Sequence, residues 1–177
     1  MNLIFGGGRK NFILESEDGK RSDENLIEKW KTLKKAAGKS HQVLSNKDDL
    51  EQWDLTEYAL GLFGKSHLKY HLDAEGSDQP SLQLMVTKAI QRLSKNENGF
   101  FLMVESGLID KAHHSNLIKK SLEETLELEK AVKTALEMTD EDETLIVVTA
   151  DHSHSMTING YPKRGNDILG NISIFTV

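Results

Sequence analysis

The 177-residue sequence contains no cysteine. Disulfides and thiolate metal sites are therefore excluded within it, and a metal ion bound here must take oxygen and imidazole ligands. The compartment stays open, because secreted segments also lack cysteine. Only two prolines are present, so there is no proline-rich linker, and no internal repeat is visible. No apolar run is long enough to span a bilayer. Met1-Asn2-Leu3-Ile4-Phe5, followed by three glycines, is too short for a signal peptide. Basic clusters are missing too: the net charge is −6, which argues against nucleic-acid binding. What remains is a chain long enough for one modest domain with its own core.

Apolar runs and amphipathic stretches alternate along it. Leu3-Ile4-Phe5 reads as a strand ending in Gly6-Gly7-Gly8. That loop lacks both the Walker and the GxGxxG spacing, and close backbone packing is the preferred reading over a phosphate cradle. Ser22 or Asp23 is the expected cap of a helix with stripe Leu26, Ile27, Trp30 and Leu33, ending at Gly38. His41 to Leu44 predicts a strand, Lys47 to Trp53 a short helix, and Tyr58 to Phe63 another strand. The loop from Gly64 to Gln79 carries His67 and His71, whose four-residue spacing would suit a metal pair on a helix, but the loop-like surroundings favour surface histidines. Pro80 and Ser81 open a helix with Leu82, Met85, Val86, Ala89 and Leu93 inward. A longer helix, Asn116 to Met138, is expected to bury Ile118, Leu122, Leu126, Glu129, Val132 and Leu136, leaving Glu123, Glu124 and Glu127 on a solvated face. Ile172 to Val177 reads as one more strand or a tail. The alternation predicts an α/β protein, a three-layer αβα sandwich with a mostly parallel sheet and no internal domain boundary.

Two stretches carry the chemistry. Val104-Glu105-Ser106-Gly107-Leu108-Ile109-Asp110-Lys111-Ala112-His113-His114 follows an apolar run, Phe100 to Val104. Thr149-Ala150-Asp151-His152-Ser153-His154 follows another, Leu145 to Val148. Both runs read as buried strands, and ligand crevices of parallel sheets lie at the carboxyl ends of strands. Four of the seven histidines fall here. Asp110 and His114, four apart, share a helical face and could hold one ion. Asp151 with His152 forms a second half-site, and Glu105 offers a hard oxygen suited to magnesium. Two close metals can clamp both the attacking and the leaving oxygen in phosphoryl transfer. The residues alone leave a plain alternative open, namely polar residues at loop starts.

These stretches resemble the metal-binding motifs of alkaline phosphatases, V-E-G-G-x-I-D-x-x-x-H and V-T-A-D-H-S-H. The likeness extends, in order, to Phe5-Gly6-Gly7-Gly8-Arg9-Lys10, the Gly99 to Glu105 approach, and Gly160-Tyr161-Pro162-Lys163-Arg164-Gly165-Asn166. The resemblance implies a first zinc on Asp110 and His114, a second on Asp151 and His152, and magnesium on Glu105. It makes His113 and His154 groups that orient ligands or phosphate, and gives Lys111 a contact with phosphate through water. Ser106 and Leu108 depart from the motif at positions that are not ligands. The calcium site of animal members is not matched, since Phe63-Gly64 and Gln79-Pro80 lack its two carboxylates.

The implied activity is phosphate monoester hydrolysis through a phosphoserine intermediate in a complete enzyme, a homodimer outside the cell or held at its surface by a lipid (GPI) anchor. The nucleophile motif Asp-Ser-Ala and the zinc-histidine motif Thr-His-Gly-Gly do not occur in the sequence. Ser153, lodged between two histidines, reads as a turn residue. Residues 1–177 therefore resemble the central part of one alkaline phosphatase catalytic domain, expected to be inactive alone. The alternatives are a non-catalytic truncated or duplicated relative and, lower, another two-metal hydrolase such as a phosphomutase or phosphodiesterase.

Overall fold

The structure, a computed structural model, describes residues 1–157 and 160–170. Three short strands, β1 (Leu3–Gly6), β2 (His41–Leu44) and β3 (Tyr58–Leu62), form a sheet of order β1-β3-β2 in which both pairings are parallel. The side-chain period of two splits their residues between two faces. On one side Leu3, Phe5, Leu44, Ala59 and Phe63 meet Leu50, Trp53 and Met85. On the other, Val43, Leu60 and Leu62 meet Ile27 and Trp30. Helices α2 (Lys47–Glu51) and α3 (Leu82–Leu93) thus contribute to the first face and α1 (Leu26–Ala36) to the second. The result is the expected αβα layering. Phe5 stands edge-on to Trp53 at 5.7 Å between ring centroids, and burying each such ring stabilises the fold by about 1.5–3 kcal/mol.

Local chemistry sets the helix starts. Ser81 caps α3, its hydroxyl accepting from Leu84 N. Asn25, rather than Ser22 or Asp23, caps α1, with Oδ1 accepting from Ile27 N and Glu28 N at 2.9 and 3.1 Å. Asp23 is engaged by Arg21, which also donates to Glu24 O. That turn delays the helix until Leu26. The glycine loop closes on the segment after β3: Gly8 N, Arg9 N and Lys10 N donate to the carbonyls of Ser66, Gly64 and Lys65. A Cβ on Gly7 would sit 2.2 Å from Ser66 O, so close backbone approach is what this glycine serves.

The expectations for strands Phe100 to Val104 and Leu145 to Val148 are corrected. Neither run pairs with the sheet. A strand needs a ladder partner as well as apolar side chains, and among the described residues these runs have none. Leu102 still tucks against α3 and α5 (Ile118–Met138), while Phe101 is 89% and Leu145 88% exposed. The run Ile172 to Val177 lies outside the described residues.

Helix α5 corrects a second expectation. It packs along α3 and along α4 (Leu108–His114) through Ser121, Glu124, Glu127, Ala131 and Thr134, not through its leucines. Glu124 is 6% and Glu127 4% exposed, against 50% for Leu126. Small side chains let the helices approach closely, and Gln83 Nε2 donates to Thr134 Oγ1 at 3.0 Å across the seam.

Candidate metal centre

Helix α4 is short and its polar groups follow its dipole: Asp110 lies in the first turn, Lys111, His113 and His114 in the last. Just beyond its end stands Asn116, whose φ of +54° allows Asn116 N and Leu117 N to bond back to His113 O and Ala112 O at 2.9 and 2.8 Å. This left-handed stop, typical of glycine or asparagine, turns the chain directly into α5. The four-residue spacing places His114 Nε2 3.5 Å from Asp110 Oδ2. From the second motif, His152 Nε2 lies 3.7 Å from Asp110 Oδ1 and 3.6 Å from Asp151 Oδ2. Asp110, His114 and His154 each offer one ligand atom, all within 4.8 Å of one another. His154 stacks on His113 at 5.1 Å and stands edge-on to His114 at 4.7 Å.

Three histidines of the two motifs therefore meet around the Asp110 carboxylate. Asp151 joins them only through His152 and is otherwise exposed. Glu105 lines the same cleft as Asp110 and His114, of about 1580 Å³, which opens beside Gly6, Gly7 and Gly8 at the end of β1. Its Oε1 lies over Gly107, and it is not among the residues whose ligand atoms converge on Asp110. Lys111 Nζ is 5.8 Å from the Tyr70 ring centroid. Ser121 Oγ lies 3.1 and 3.0 Å from the two His113 ring nitrogens, which packs the imidazole against α5.

Does this set fit a metal ion? Asp110 Oδ1 is buried and takes no hydrogen bond, a costly state for a carboxylate oxygen without a compensating cation. Carboxylate and imidazole donors together suit zinc. The fit is good. The His152 imidazole is pushed above its ordinary 6.5, first by its hydrogen bond to Ser153 O, then by the charges of Asp151 and Asp110.

One cluster went unread in the sequence. His71, on a single 3-10 turn (His71–Asp73), places Nδ1 3.4 Å from Glu127 Oε2 and Nε2 3.7 Å from Glu123 Oε1. The available signal was the four-residue spacing of Glu123 and Glu127, obscured by assigning the leucines of α5 to its inner face.

A family model described as alkaline phosphatase matches residues 1–176. The chain is 46% identical to a membrane-bound alkaline phosphatase of Bombyx mori, over 96% of this chain and 32% of that protein. It is 40% identical to the tissue-nonspecific alkaline phosphatase of Homo sapiens, over 96% of this chain and 35% of that one. Among solved structures, the alkaline phosphatase of Thermus thermophilus superposes with a TM-score of 0.68 at 26% identity, covering 80% of this chain and 28% of that one. An α/β fold with a crevice lined by carboxylates and histidines thus has relatives in one class of hydrolase. The chain belongs to the alkaline phosphatase family, and spans about a third of the length of the curated relatives it matches.

Proposed function

We propose that this chain is the metal-binding central part of a phosphate monoesterase, residues 1–177 falling within one catalytic domain. The observation that carries this reading is the buried, unbonded Oδ1 of Asp110 with His114, His152 and His154 around it. Asp110 and His114 would hold one zinc, Asp151 and His152 a second, and Glu105 magnesium. Bound there, such ions supply positive charge to the ester oxygens and ease deprotonation of water or hydroxyl. The chain's own residues set the stage. Asp110 presents its oxygen already stripped of water. His113, held by Ser121, and His154, stacked on it, keep the imidazole cluster from turning away. Lys111, in the wall of the cleft, offers a cation to the phosphate dianion. The serine that attacks phosphorus, giving a phosphoserine intermediate, would come from an Asp-Ser-Ala segment that this sequence does not contain.

The whole protein would act as a homodimer on phosphate monoesters outside the cell or at its surface through a lipid anchor. The kinship to a silkworm protein named membrane-bound supports the surface location. No described helix is long and apolar enough to cross a bilayer. The test uses a longer protein carrying this segment, with zinc and magnesium supplied. Asp110→Ala or His152→Ala lowers hydrolysis of a chromogenic phosphate ester by orders of magnitude, whereas His67→Ala leaves it near the parent's. Equal losses from all three changes would show that the site is misplaced.

A further inference from the structure

The geometry points to a second, structural metal site, formed by His71, Glu123 and Glu127, that takes a zinc-class divalent ion and clamps the loop from residues 64–79 onto α5. It shares no residue with the cluster around Asp110. One ligand atom from each of the three lies within 4.8 Å of the others. The Nδ1–Oε2 separation of 3.4 Å between His71 and Glu127 already matches the spacing of neighbouring ligands in a tetrahedral zinc site. Bonds of about 2.0–2.2 Å put those atoms about 3.3–3.6 Å apart. Glu123 and Glu127 sit one helical turn apart on the same face of α5, so the helix presents two carboxylates at fixed spacing. The third ligand arrives pre-positioned, because His71 N donates to Glu124 Oε1 at 2.6 Å.

Charge makes the same case. Glu123, Glu124 and Glu127 stand together, and Glu127 has only a 6% exposed side chain. The cations facing them are Lys130, bonded to Glu127 Oε1, and the His71 imidazole. Lys120, the next cation along α5, is bonded to Asp73. Glu123 and Glu127 share one ammonium, and a divalent ion held between them and His71 balances the remaining charge. An ion has a way in, since His71 and Glu127 line the open cleft. Three protein ligands and one water complete a four-coordinate shell.

The experiment counts zinc bound to the full 177-residue chain, by calorimetric titration with Zn²⁺ alone. In a background of Asp110→Ala, His114→Ala, His152→Ala and His154→Ala, one equivalent is expected to remain. Adding His71→Ala or Glu123→Gln should weaken that equivalent at least tenfold. Both side chains are partly exposed, so neither change empties a core position, and circular dichroism checks the fold. The parent chain supplies the second measurement: either change should lower its zinc count by one, and zinc should slow amide exchange in residues 64–79. Zinc counts and affinities unmoved by both substitutions in both backgrounds would overturn the proposal, leaving an ion-pair network only.

Discussion

At the scale of single residues, two positions carry expectations that differ in kind. Gly7 faces backbone rather than a movable side chain, so Gly7→Ala must displace the residues 64–66 segment. The change should cost about 2–4 kcal/mol, read as a lower urea midpoint with an unchanged m-value. Glu124 acts through protons. Burial pushes its carboxyl above the ordinary 4.5; His71, through its backbone donor and charge, pulls it partly back, and Glu127 and Glu123 push it further up. A carboxyl raised on folding binds its proton more tightly in the folded state. Its contribution is therefore fully present below pH 4.5 and is lost as pH rises through the folded value. In Glu124→Gln the difference in stability between pH 4.5 and pH 7 should shift by that lost term, measured by urea unfolding across the range. Identical pH profiles for parent and variant would contradict it. The roles of these two residues were unequally legible. A triple glycine after a strand advertises close approach, whereas nothing in the local sequence distinguishes a buried glutamate from a solvated one.

At the scale of elements, the sequence was read well wherever an element's own residues decide its form. The three strands and the cap at Ser81 follow from period and capping chemistry. It was read poorly where a neighbour decides. Phe100 to Val104 has the composition of a strand but no described strand to pair with. The leucines of α5 formed the more hydrophobic stripe, yet the helix turns Ser121, Ala131 and Thr134 to its partners, because close approach to α3 and α4 favours small side chains over large ones. The meeting of Asp110 and His114 was legible for a similar reason to the strands: the two need only one helical turn to come together. The approach of His152 and His154 required the fold. A pair of substitutions checks the orientation of α5. Ala131→Leu overfills the seam with Val86 and Ile90 and should destabilise by about 1–3 kcal/mol. Leu126→Ser, on the open side, should change stability by less than about 0.5 kcal/mol. The opposite ranking in thermal unfolding would restore the leucine face as the inner one.

At the scale of the whole molecule, the question is what this chain does by itself. The cluster around Asp110 is rich in ligands, but the reaction proposed for the family needs an attacking hydroxyl placed in line with the ester bond, and no serine in the two motifs is so placed. Ser106 Oγ is directed to Glu124 O at 3.5 Å, and Ser153 lies between His152 and His154 in an irregular stretch. Positioning is worth orders of magnitude in such reactions, so metal without a placed nucleophile leaves little acceleration. The unpaired apolar runs add a second penalty, since Phe101, Met103, Leu145 and Val147 stand in water and invite association between chains. Two outcomes are therefore expected of the purified 177-residue chain. It should bind zinc through Asp110, with binding weakened at least tenfold by Asp110→Ala. It should also show no hydrolysis of a chromogenic phosphate ester above that of zinc and magnesium in buffer. Measuring both on one preparation separates the cases. Zinc binding without turnover supports a metal-bearing segment that lacks its nucleophile. Turnover at ordinary enzymatic rates, abolished by Asp151→Ala, would mean that this chain holds a nucleophile outside the motifs, and the assignment of attack to an Asp-Ser-Ala segment would fall.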